Sequence, residues 1–432
     1  MNTKTIPFTL EQIENLKKKY PTPFYIYNEL GIRSSVRTLY KSFFWNKGFK
    51  EYFPIKALPN PEIINLLKEE GCSADCCSVP ELMIAEGVGL SGESIMLTSS
   101  NTSTEEFRKA RQLGTIINLD DPNHLSYLES LAGLPEILFL RYNPGSIKRK
   151  DYATRENLKE DKFGMRKDQL FETYLVALRK GIRRFGLHMM IMSNDLDENK
   201  FLDTTKICFN IAKELHKRNI DLEFIDLGGG LGIPYRPHQK TINLQKISSK
   251  IHAIYEKHIA NGDFRHIKLF LECGRLVTGP HGYLVTTVRH IKESYKLFAG
   301  LDASMTDLMR PGMYGSYHYI SVLGKKNKDS VTIYDVVGSL CENNDKFAID
   351  RKLPVLNQGD IVVIHDVGAY GRGKVFDFNG KLRPAEFLLR GDGSFQQIRR
   401  AETPEDYFRT ISGWRVEEEK LKRFRKNNER QG

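Results

Sequence analysis

The segment YFPIKALPNP, residues 52–61, joins a short apolar strand to a proline-rich turn, with Lys56 at the junction. Burying a lysine costs free energy because the ammonium loses water, so a lysine in this place needs a reason. One reason is chemical: a partly desolvated lysine has a lowered pKa, and its neutral amine can form a Schiff base with an aldehyde cofactor. The other is that the side chain simply extends past the strand into water. The segment alone leaves both open, and the rest of the chain favours the first.

Length and composition indicate a globular protein of two domains. The chain has 432 residues, of which 40% are hydrophobic and 28% charged. No apolar run approaches the length of a membrane span, and residues 1–20 lack the apolar core of a secretory signal, so we expect a cytoplasmic protein. Six cysteines are too few for a disulfide scaffold. The group Cys72, Cys76 and Cys77 lacks the second pair that a zinc site requires, so no metal is predicted.

The net charge of +11 is spread along the chain, with a denser basic run at 420–426. Such a run is typical of a solvated tail, and no nucleic-acid motif accompanies it, so we expect neither nucleic-acid nor membrane binding. A basic surface can help to recruit an anionic small substrate.

Apolar runs alternate with amphipathic helical patterns over the first 280 residues. Eight strands with intervening helices favour a (β/α)8 barrel, with an open doubly wound sheet as the alternative. The predicted strands are 51–57, 73–77, 94–98, 115–119, 136–142, 183–190, 222–227 and 267–272. The predicted helices are 31–43, 61–70, 80–87, 103–113, 121–132, 167–180, 199–219 and 241–260.

Beyond residue 280, closely spaced apolar runs separated by turns predict a second, all-β domain. Helical patterns are scarce there until Pro404. The early strand near Tyr25 is a candidate member of this domain. We therefore predict a barrel domain over 28–283 and a β domain built from 1–27 and 284–432. The charged stretch 145–161 is predicted to be a long loop over the barrel mouth.

Polar residues follow the ends of the predicted barrel strands, where the active site of such a barrel lies. The glycine loop Gly228, Gly229 and Gly230 has bare amides that can approach a phosphate, although an ordinary tight turn is the alternative. Glu272 ends an apolar strand and is a candidate partner for a pyridine nitrogen, the alternative being a surface ion pair with Arg275. Together with Lys56, this set suggests pyridoxal phosphate.

The predicted β domain has two further segments dense in chemical groups, 302–315 and 338–345. Arg310 could bind a carboxylate with two hydrogen bonds. Cys341 is a candidate proton donor, and Glu342 a candidate partner for an ammonium group. Each also has an ordinary interpretation, as a loop arginine, a buried cysteine or a surface glutamate, and the residues alone leave the choice open.

These motifs, in this order, resemble the fold-type III pyridoxal-phosphate decarboxylases, and within them the diaminopimelate decarboxylases. The resemblance runs from about Pro23 to Phe408, and any one of its motifs is weak alone. The segments that carry it are Lys56-Ala57, Asp75-Cys76-Cys77-Ser78, Arg141-Tyr142-Asn143-Pro144, Lys162-Phe163-Gly164, Asp226 to Gly232, Glu272-Cys273-Gly274-Arg275, Arg310-Pro311 with Tyr314-Gly315, Cys341-Glu342, and Gly368-Ala369-Tyr370-Gly371.

The resemblance implies an alanine-racemase-like (β/α)8 barrel with a C-terminal β-sandwich or β-barrel domain. It implies that Lys56 holds the cofactor covalently and that Cys341 is the proton donor. The other cofactor-binding residues that it implies are Asp75, Arg141, His188, Gly228, Gly229, Gly230, Glu272, Gly274, Arg275 and Tyr370. The substrate-binding residues that it implies are Arg275, Arg310, Tyr314, Glu342 and Tyr370.

The implied reaction is decarboxylation of meso-2,6-diaminopimelate to L-lysine and CO2, in a head-to-tail homodimer with shared active sites. A related decarboxylase of ornithine, lysine, arginine or carboxynorspermidine is the alternative, with a racemase or a non-catalytic binding homologue further off. Three features depart from the family pattern. Met190 stands where many relatives have a histidine that stacks on the cofactor ring, Cys273 replaces a proline, and residues 372–379 are unusually basic.

Overall fold

The computed structural model describes residues 4–147, 156–262, 266–325 and 330–412. The chain forms two compact units, which we call the barrel unit (Ile32–Pro234 and Lys240–Thr278) and the sheet unit (Met1–Gly31, Tyr235–Gln239 and Gly279–Gly432). The domain boundaries expected from the sequence, 28–283 for the barrel and 1–27 with 284–432 for the β domain, stay a prediction. The basic run at 420–426 and residues 148–155 of the predicted loop 145–161 lie outside the described residues.

The strands, in chain order, are β1 (Phe24–Asn28), β2 (Lys50–Pro54), β3 (Ser73–Cys76), β4 (Ile95–Ser99), β5 (Ile116–Leu119), β6 (Ile137–Arg141), β7 (Ser146–Ile147), β8 (Glu156–Asn157), β9 (Arg184–His188), β10 (Leu222–Asp226), β11 (Lys268–Leu271), β12 (Gly282–Glu293), β13 (Leu297–Leu301), β14 (Ile320–Val322), β15 (Val331–Val337), β16 (Lys346–Pro354), β17 (Ile361–His365), β18 (Ala385–Leu389) and β19 (Phe395–Arg399).

The helices are α1 (Leu10–Lys17), α2 (Glu29–Ser42), α3 (Pro61–Glu69), α4 (Val79–Gly87), α5 (Thr104–Leu113), α6 (Asn123–Ala132), α7 (Lys167–Arg179), α8 (Glu198–His216), α9 (Leu244–Ala260), α10 (Gly274–Thr278), α11 (Arg310–Tyr314) and α12 (Pro404–Phe408). No helix within the described ranges is both long and apolar enough to cross a membrane.

In the barrel unit, the described strands close in the order β10-β11-β2-β3-β4-β5-β6-β9, and every neighbouring pair is parallel. The predicted (β/α)8 barrel is therefore confirmed, and the open sheet was wrong. Aromatic rings fill the interior: the Phe139 ring stacks on Phe224 and Phe270 with centroids 5.6 and 5.9 Å apart. Because the interior is packed solid, ligand chemistry is confined to the carboxyl ends of the strands.

The segment 52–61 ends one element and begins the next. Strand β2 stops at Pro54, and Lys56 lies in a single 3-10 turn, Ile55–Ala57. The prediction that the strand ends at Lys56 was therefore wrong by two residues. Asn60 then caps α3 by accepting a hydrogen bond from the Glu62 amide at 3.1 Å, with Pro61 in the first turn. The turn thus fixes where the lysine leaves the barrel wall.

The sheet unit contains one connected mixed sheet of nine strands among its described residues, so the β-rich second unit is confirmed. Its central path runs β16-β15-β13-β12-β1-β18-β19, with β14 and β17 attached to it through β12. Strand β1 pairs antiparallel with β12 and parallel with β18, so a strand from the start of the chain lies inside the sheet, between two strands from its C-terminal part.

Helix α1 was missed from the sequence, where residues 1–20 were treated as a polar lead. Thr9 and Gln12 form a capping box at its start, and Ile13 is fully buried against the sheet-unit core. The Thr-x-x-Gln pattern was the available sign of this helix. Its low overall hydrophobicity hid the apolar stripe.

Gly186 in β9 provides a test of the packed barrel interior. A Cβ added there would lie 2.3 Å from the Phe139 ring. We expect Gly186→Ala to lower the free energy of unfolding by about 1–3 kcal/mol, because a filled core accommodates an extra methyl only by strain. Chemical denaturation would measure it. Gly87→Ala, at an exposed helix position with nothing within 4 Å of the added Cβ, is the control and should not destabilise the protein.

Candidate active site

Lys56 pairs with a buried carboxylate. Its Nζ lies 2.7 Å from Oδ2 of Asp75, which is fully buried on β3, whereas the lysine side chain is 44% exposed. Oδ1 of Asp75 is buried without a hydrogen-bond partner among the described groups. The amine is therefore held at the edge of the barrel interior and stays accessible from its mouth.

Three further side chains meet at the carboxyl ends of β9, β10 and β11. One nitrogen or oxygen atom from each of His188, Asp226 and Glu272 lies within 4.8 Å of the others. His188 Nε2 is 3.7 Å from Glu272 Oε1. The Asn118 amide donates to His188 Nδ1 at 2.8 Å. A neutral imidazole that accepts at Nδ1 carries its proton on Nε2, so His188 presents an N–H to this cluster.

Burial shifts the pKa of each titratable group in this cluster toward its neutral form. It raises the pKa of Asp226 to about 7. The hydrogen bond from the Gly228 amide opposes this rise, whereas the charge of Asp75 adds to it. Burial, followed by the charges of Asp75 and Asp226, raises the pKa of Glu272 well above its usual value. Burial likewise holds the pKa of His188 well below its usual value. The cluster therefore avoids carrying two full negative charges at neutral pH.

The unsatisfied atoms of this cluster favour a polar ring over a metal ion. In the part of the chain that the structure describes, Asp75 Oδ1, His188 Nε2, Asp226 Oδ2 and Glu272 Oε1 are buried without a hydrogen-bond partner. A protonated Nε2 donates hydrogen bonds and cannot bind a metal ion. Adjacent carboxyl groups that accept, beside a lysine that can react with an aldehyde, fit a pyridine cofactor with a ring N–H.

The glycine loop after β10 is held close to the neighbouring strand ends. Gly228 and Gly230 have positive φ angles of 66° and 91°, which favour glycine. A Cβ added at Gly229 would lie 2.1 Å from the carbonyl oxygen of Glu272. The Gly228 amide donates to Asp226 Oδ1 at 2.8 Å, and its carbonyl accepts from the Glu272 amide at 2.9 Å. The loop is therefore built of bare backbone, which suits an anion cradle.

Met190 contacts this loop directly. It lies just past the end of β9, which stops at His188 although the sequence predicted a strand to residue 190. The Gly229 amide donates to Met190 Sδ at 3.1 Å. A thioether sulfur is a weak hydrogen-bond acceptor. An anionic oxygen accepts more strongly, so it could displace Met190 Sδ from the Gly229 amide.

Gly274 and Arg275 follow β11 as predicted. A Cβ at Gly274 would lie 2.7 Å from Pro54 and 2.9 Å from Ala57, so this glycine lets α10 approach the turn that carries Lys56. Its amide donates to the Glu272 carbonyl at 3.1 Å, and Arg275 is half-buried. The whole segment is thus folded tightly against the lysine turn.

Arg141, at the end of β6, lies over a residue of a second predicted motif. Its guanidinium carbon is 4.4 Å from the centroid of the Phe163 ring. Its Nη1 is 3.4 Å from Asp120 Oδ1, and the other oxygen of Asp120 accepts from the Gly164 amide at 2.9 Å. Asp120 therefore ties the Phe163-Gly164 motif to the barrel edge.

The remaining predicted residues belong to the sheet unit. Arg310 is buried, whereas Tyr314, Cys341 and Glu342 are exposed. The Cys341 amide donates to Asn379 Oδ1 at 2.8 Å, and Glu342 Oε1 accepts from the Asn344 amide at 3.3 Å. Lys374 Nζ lies 4.9 Å from the centroid of the Tyr314 ring and 6.0 Å from that of the Tyr370 ring.

Sequence reasoning missed several residues that hold the predicted ones in place. Asn118 orients His188, and Asp120 contacts Arg141. Glu51, buried on β2, accepts from the Cys273 amide at 2.6 Å and so supports the segment after β11. All three are polar residues in or beside otherwise apolar strands, and that was their only sign in the sequence.

The fold and the buried cluster define a barrel that binds a pyridoxal cofactor. Residues 32–279 match the model of the pyridoxal-dependent decarboxylase family, pyridoxal binding domain. The chain is 40% identical to protein TabA of Pseudomonas amygdali pv. tabaci, covering 91% of this chain and 92% of that one. The chain therefore belongs to the pyridoxal-dependent decarboxylases, which confirms the predicted cofactor.

Relatives with a named activity match over the same length. The diaminopimelate decarboxylase of Methanothermobacter thermautotrophicus is 34% identical, covering 91% of this chain and 92% of that one. The crystal structure of diaminopimelate decarboxylase from M. jannaschii in complex with L-lysine has a TM-score of 0.87 at 29% identity, covering 93% and 94%. The crystal structure of the Helicobacter pylori diaminopimelate decarboxylase with L-lysine has a TM-score of 0.83 at 29% identity, covering 92% and 98%.

The raised pKa of Asp226 predicts how pH affects the cofactor-free protein. Between the ordinary value of 3.8 and about 7, the folded state keeps a proton that the unfolded chain has released. Stability therefore falls as pH rises through this window. The quantity to follow is the free energy of unfolding of Asp226→Asn minus that of the unchanged protein. We expect this difference to increase by about 4 kcal/mol at most as the pH rises from 3.8 to about 7, and to stay level at higher pH.

Urea denaturation of both cofactor-free proteins across this pH range measures the difference. Asn at this position keeps an oxygen for the Gly228 amide, so the change removes the titration and little else. Asp161→Asn, at an exposed position, is the matched control. A difference between Asp226→Asn and the unchanged protein that does not vary with pH would contradict the assignment.

Proposed function

We propose that the protein decarboxylates meso-2,6-diaminopimelate to L-lysine and CO2. The observation that carries the proposal is Lys56 beside the buried Asp75, with His188 and Glu272 buried at the same barrel mouth, in a chain related over nine-tenths of its length to named diaminopimelate decarboxylases. Arg310 adds a buried cation that suits a substrate with a second carboxylate.

The bound cofactor supplies an aldehyde that takes up an amine and a ring that withdraws electrons from Cα. Lys56 would hold that aldehyde and give it up to the substrate amine, while Asp75 fixes the position of the lysine nitrogen. Glu272 would accept the ring N–H, and the Nε2–H of His188 faces the same carboxyl group at 3.7 Å. The Gly228–Gly230 loop, Gly274 and Tyr370 would bind the phosphate.

The second half of the mechanism is assigned to residues of the sheet unit. Cys341 would protonate Cα after CO2 has left, and Glu342 would bind the far ammonium group of the substrate. Arg275, Arg310 and Tyr314 would bind the far carboxylate. We propose that Cys341 and Glu342 act in the active site of a partner subunit, within a head-to-tail homodimer in the cytoplasm.

A decarboxylase of another basic amino acid is the second candidate. Met190, in place of the ring-stacking histidine of many relatives, and Lys374 beside Tyr314 and Tyr370 are the observations that favour it. Protein TabA, at 40% identity, has a name that specifies no substrate.

Release of CO2 by the cofactor-loaded protein tests the proposal. With meso-diaminopimelate, L-ornithine, L-arginine and L-lysine offered separately, we expect release from meso-diaminopimelate alone. Lys56→Ala should abolish it. Lys56→Arg should abolish it too, because arginine keeps the positive charge beside Asp75 but cannot take up the aldehyde.

Release from one of the other amino acids instead would establish the second candidate. Bound cofactor with no release from any of the four would indicate a binding homologue. Retained activity in Lys56→Arg would show that the charge of Lys56, and not its amine chemistry, is what the site requires.

Mixing two inactive variants tests the shared active site. Lys56→Ala and Cys341→Ala should each be inactive, the first without its cofactor link and the second without its proton donor. If the two residues come from different subunits, dissociating and reassociating an equal mixture should restore about a quarter of the activity, because half of the dimers are mixed and each has one intact site. Unrestored activity, with mixed dimers shown to form, would place both residues in one subunit.

A further inference from the structure

Arg310 is the most deeply buried of the substrate-binding residues predicted in the sheet unit. It begins α11, and 7% of its surface is exposed. Burying a guanidinium is unfavourable unless hydrogen bonds satisfy it. Its Nη1 donates to the Tyr235 hydroxyl at 2.9 Å and contacts His318 Nε2 at 3.0 Å. Arg310 is therefore held by specific partners that belong to the same unit.

The hydrogen bonds of His318 fix its protonation. The ring is fully buried, and its Nδ1 lies 2.8 Å from the carbonyl oxygen of His365. A carbonyl only accepts, so Nδ1 carries the proton, and Nε2 presents a lone pair. Arg310 Nη1 can only donate, which matches that lone pair. His318 is thus a neutral hydrogen-bond acceptor, and the hydrogen bond from its Nδ1 to the His365 carbonyl orients its ring.

Tyr235 holds the other side of the same guanidinium. Its ring centroid lies 4.8 Å from the guanidinium carbon of Arg310 and 5.1 Å from the His318 ring, which it meets at 74°. The tyrosine is itself buried, with 5% exposed. Its ring gives a cation–π contact and its hydroxyl a hydrogen bond, so Arg310 is fixed in direction as well as in place.

Neither acceptor on Nη1 carries a charge, so they orient the guanidinium without neutralising it. Asp366, whose pKa burial raises to about 6, also feels the charge of Arg310, but its carboxylate is hydrogen-bonded to Lys4. A buried guanidinium binds a carboxylate more strongly than a surface arginine does. Its orientation then decides which ligands can use it.

We infer that Tyr235 and His318 are positioning residues that direct Arg310 to the carboxylate which meso-diaminopimelate retains after decarboxylation. The inference rests on the proposed function, because it presumes that substrate. It adds two residues to the specificity of the reaction, neither of which would touch the reacting atoms. Their effect would be confined to ligands that carry this carboxylate.

Two ligands differ by that carboxylate alone. L-lysine, the proposed product, retains it, and 1,5-diaminopentane has the same chain and both amines without it. In the unchanged holoenzyme, L-lysine should inhibit CO2 release from meso-diaminopimelate at an inhibition constant about tenfold below that of 1,5-diaminopentane.

Tyr235→Phe removes only the hydroxyl, and His318→Gln keeps a polar side chain near the position of Nε2 while losing the ring. For each we expect the KM for meso-diaminopimelate and the inhibition constant of L-lysine to rise about tenfold, with kcat changed less than threefold. The inhibition constant of 1,5-diaminopentane should stay within about twofold of its original value. Tyr295→Phe, the same chemical change at a fully exposed tyrosine, should alter none of these.

Melting temperature and cofactor absorbance of each variant separate positioning from damage to the fold. An equal loss of affinity for L-lysine and 1,5-diaminopentane, or no loss for either, would overturn the positioning role while leaving the proposed function intact. Absence of CO2 release from meso-diaminopimelate by the unchanged enzyme would overturn the proposed function and this inference with it.

Discussion

The barrel mouth brings acidic groups into a space that excludes most water, and the rest of the site depends on how their charge is managed. Asp75, Asp226 and Glu272 are all buried, and repulsion among them raises the pKa of both Asp226 and Glu272 beyond the effect of burial. The ammonium of Lys56 offsets part of this charge at one edge, and the N–H of His188 faces Glu272. A ligand with a ring N–H fits such a site because its donor satisfies a buried acceptor and its positive charge weakens the repulsion.

Close backbone packing makes this arrangement possible. The glycine loop approaches the Glu272 carbonyl more closely than any side chain would allow, and Gly274 lets α10 reach the lysine turn. Strands β2 and β11, which are far apart in the sequence, pair with each other at this point. Glu51 on β2 also accepts a hydrogen bond from the Cys273 amide that follows β11. The positions of the charged groups follow from this backbone frame.

The sequence predicted the barrel well because each of its strands is an apolar run followed by an amphipathic helix, and both patterns are local. It also located Lys56, the glycine loop and Glu272, because polar residues at the ends of apolar strands stand out. It did not find Asn118, Glu51, Tyr235 or His318. These residues act on partners 70, 222, 75 and 8 positions away, respectively. A contact of that kind depends on how the elements come together, and no local periodicity records it. Helix α1 was missed for a different reason, since its few apolar residues were hidden among charged ones.

The buried polar atoms that lack a hydrogen-bond partner at the barrel mouth also affect the stability of the cofactor-free protein. Each such atom loses hydration on folding and has no hydrogen-bond partner among the described groups, so its burial lowers the stability of the barrel unit. A ligand that satisfies these atoms returns that lost free energy and shifts the folding equilibrium by mass action. The fraction of folded protein would therefore rise with the concentration of free cofactor.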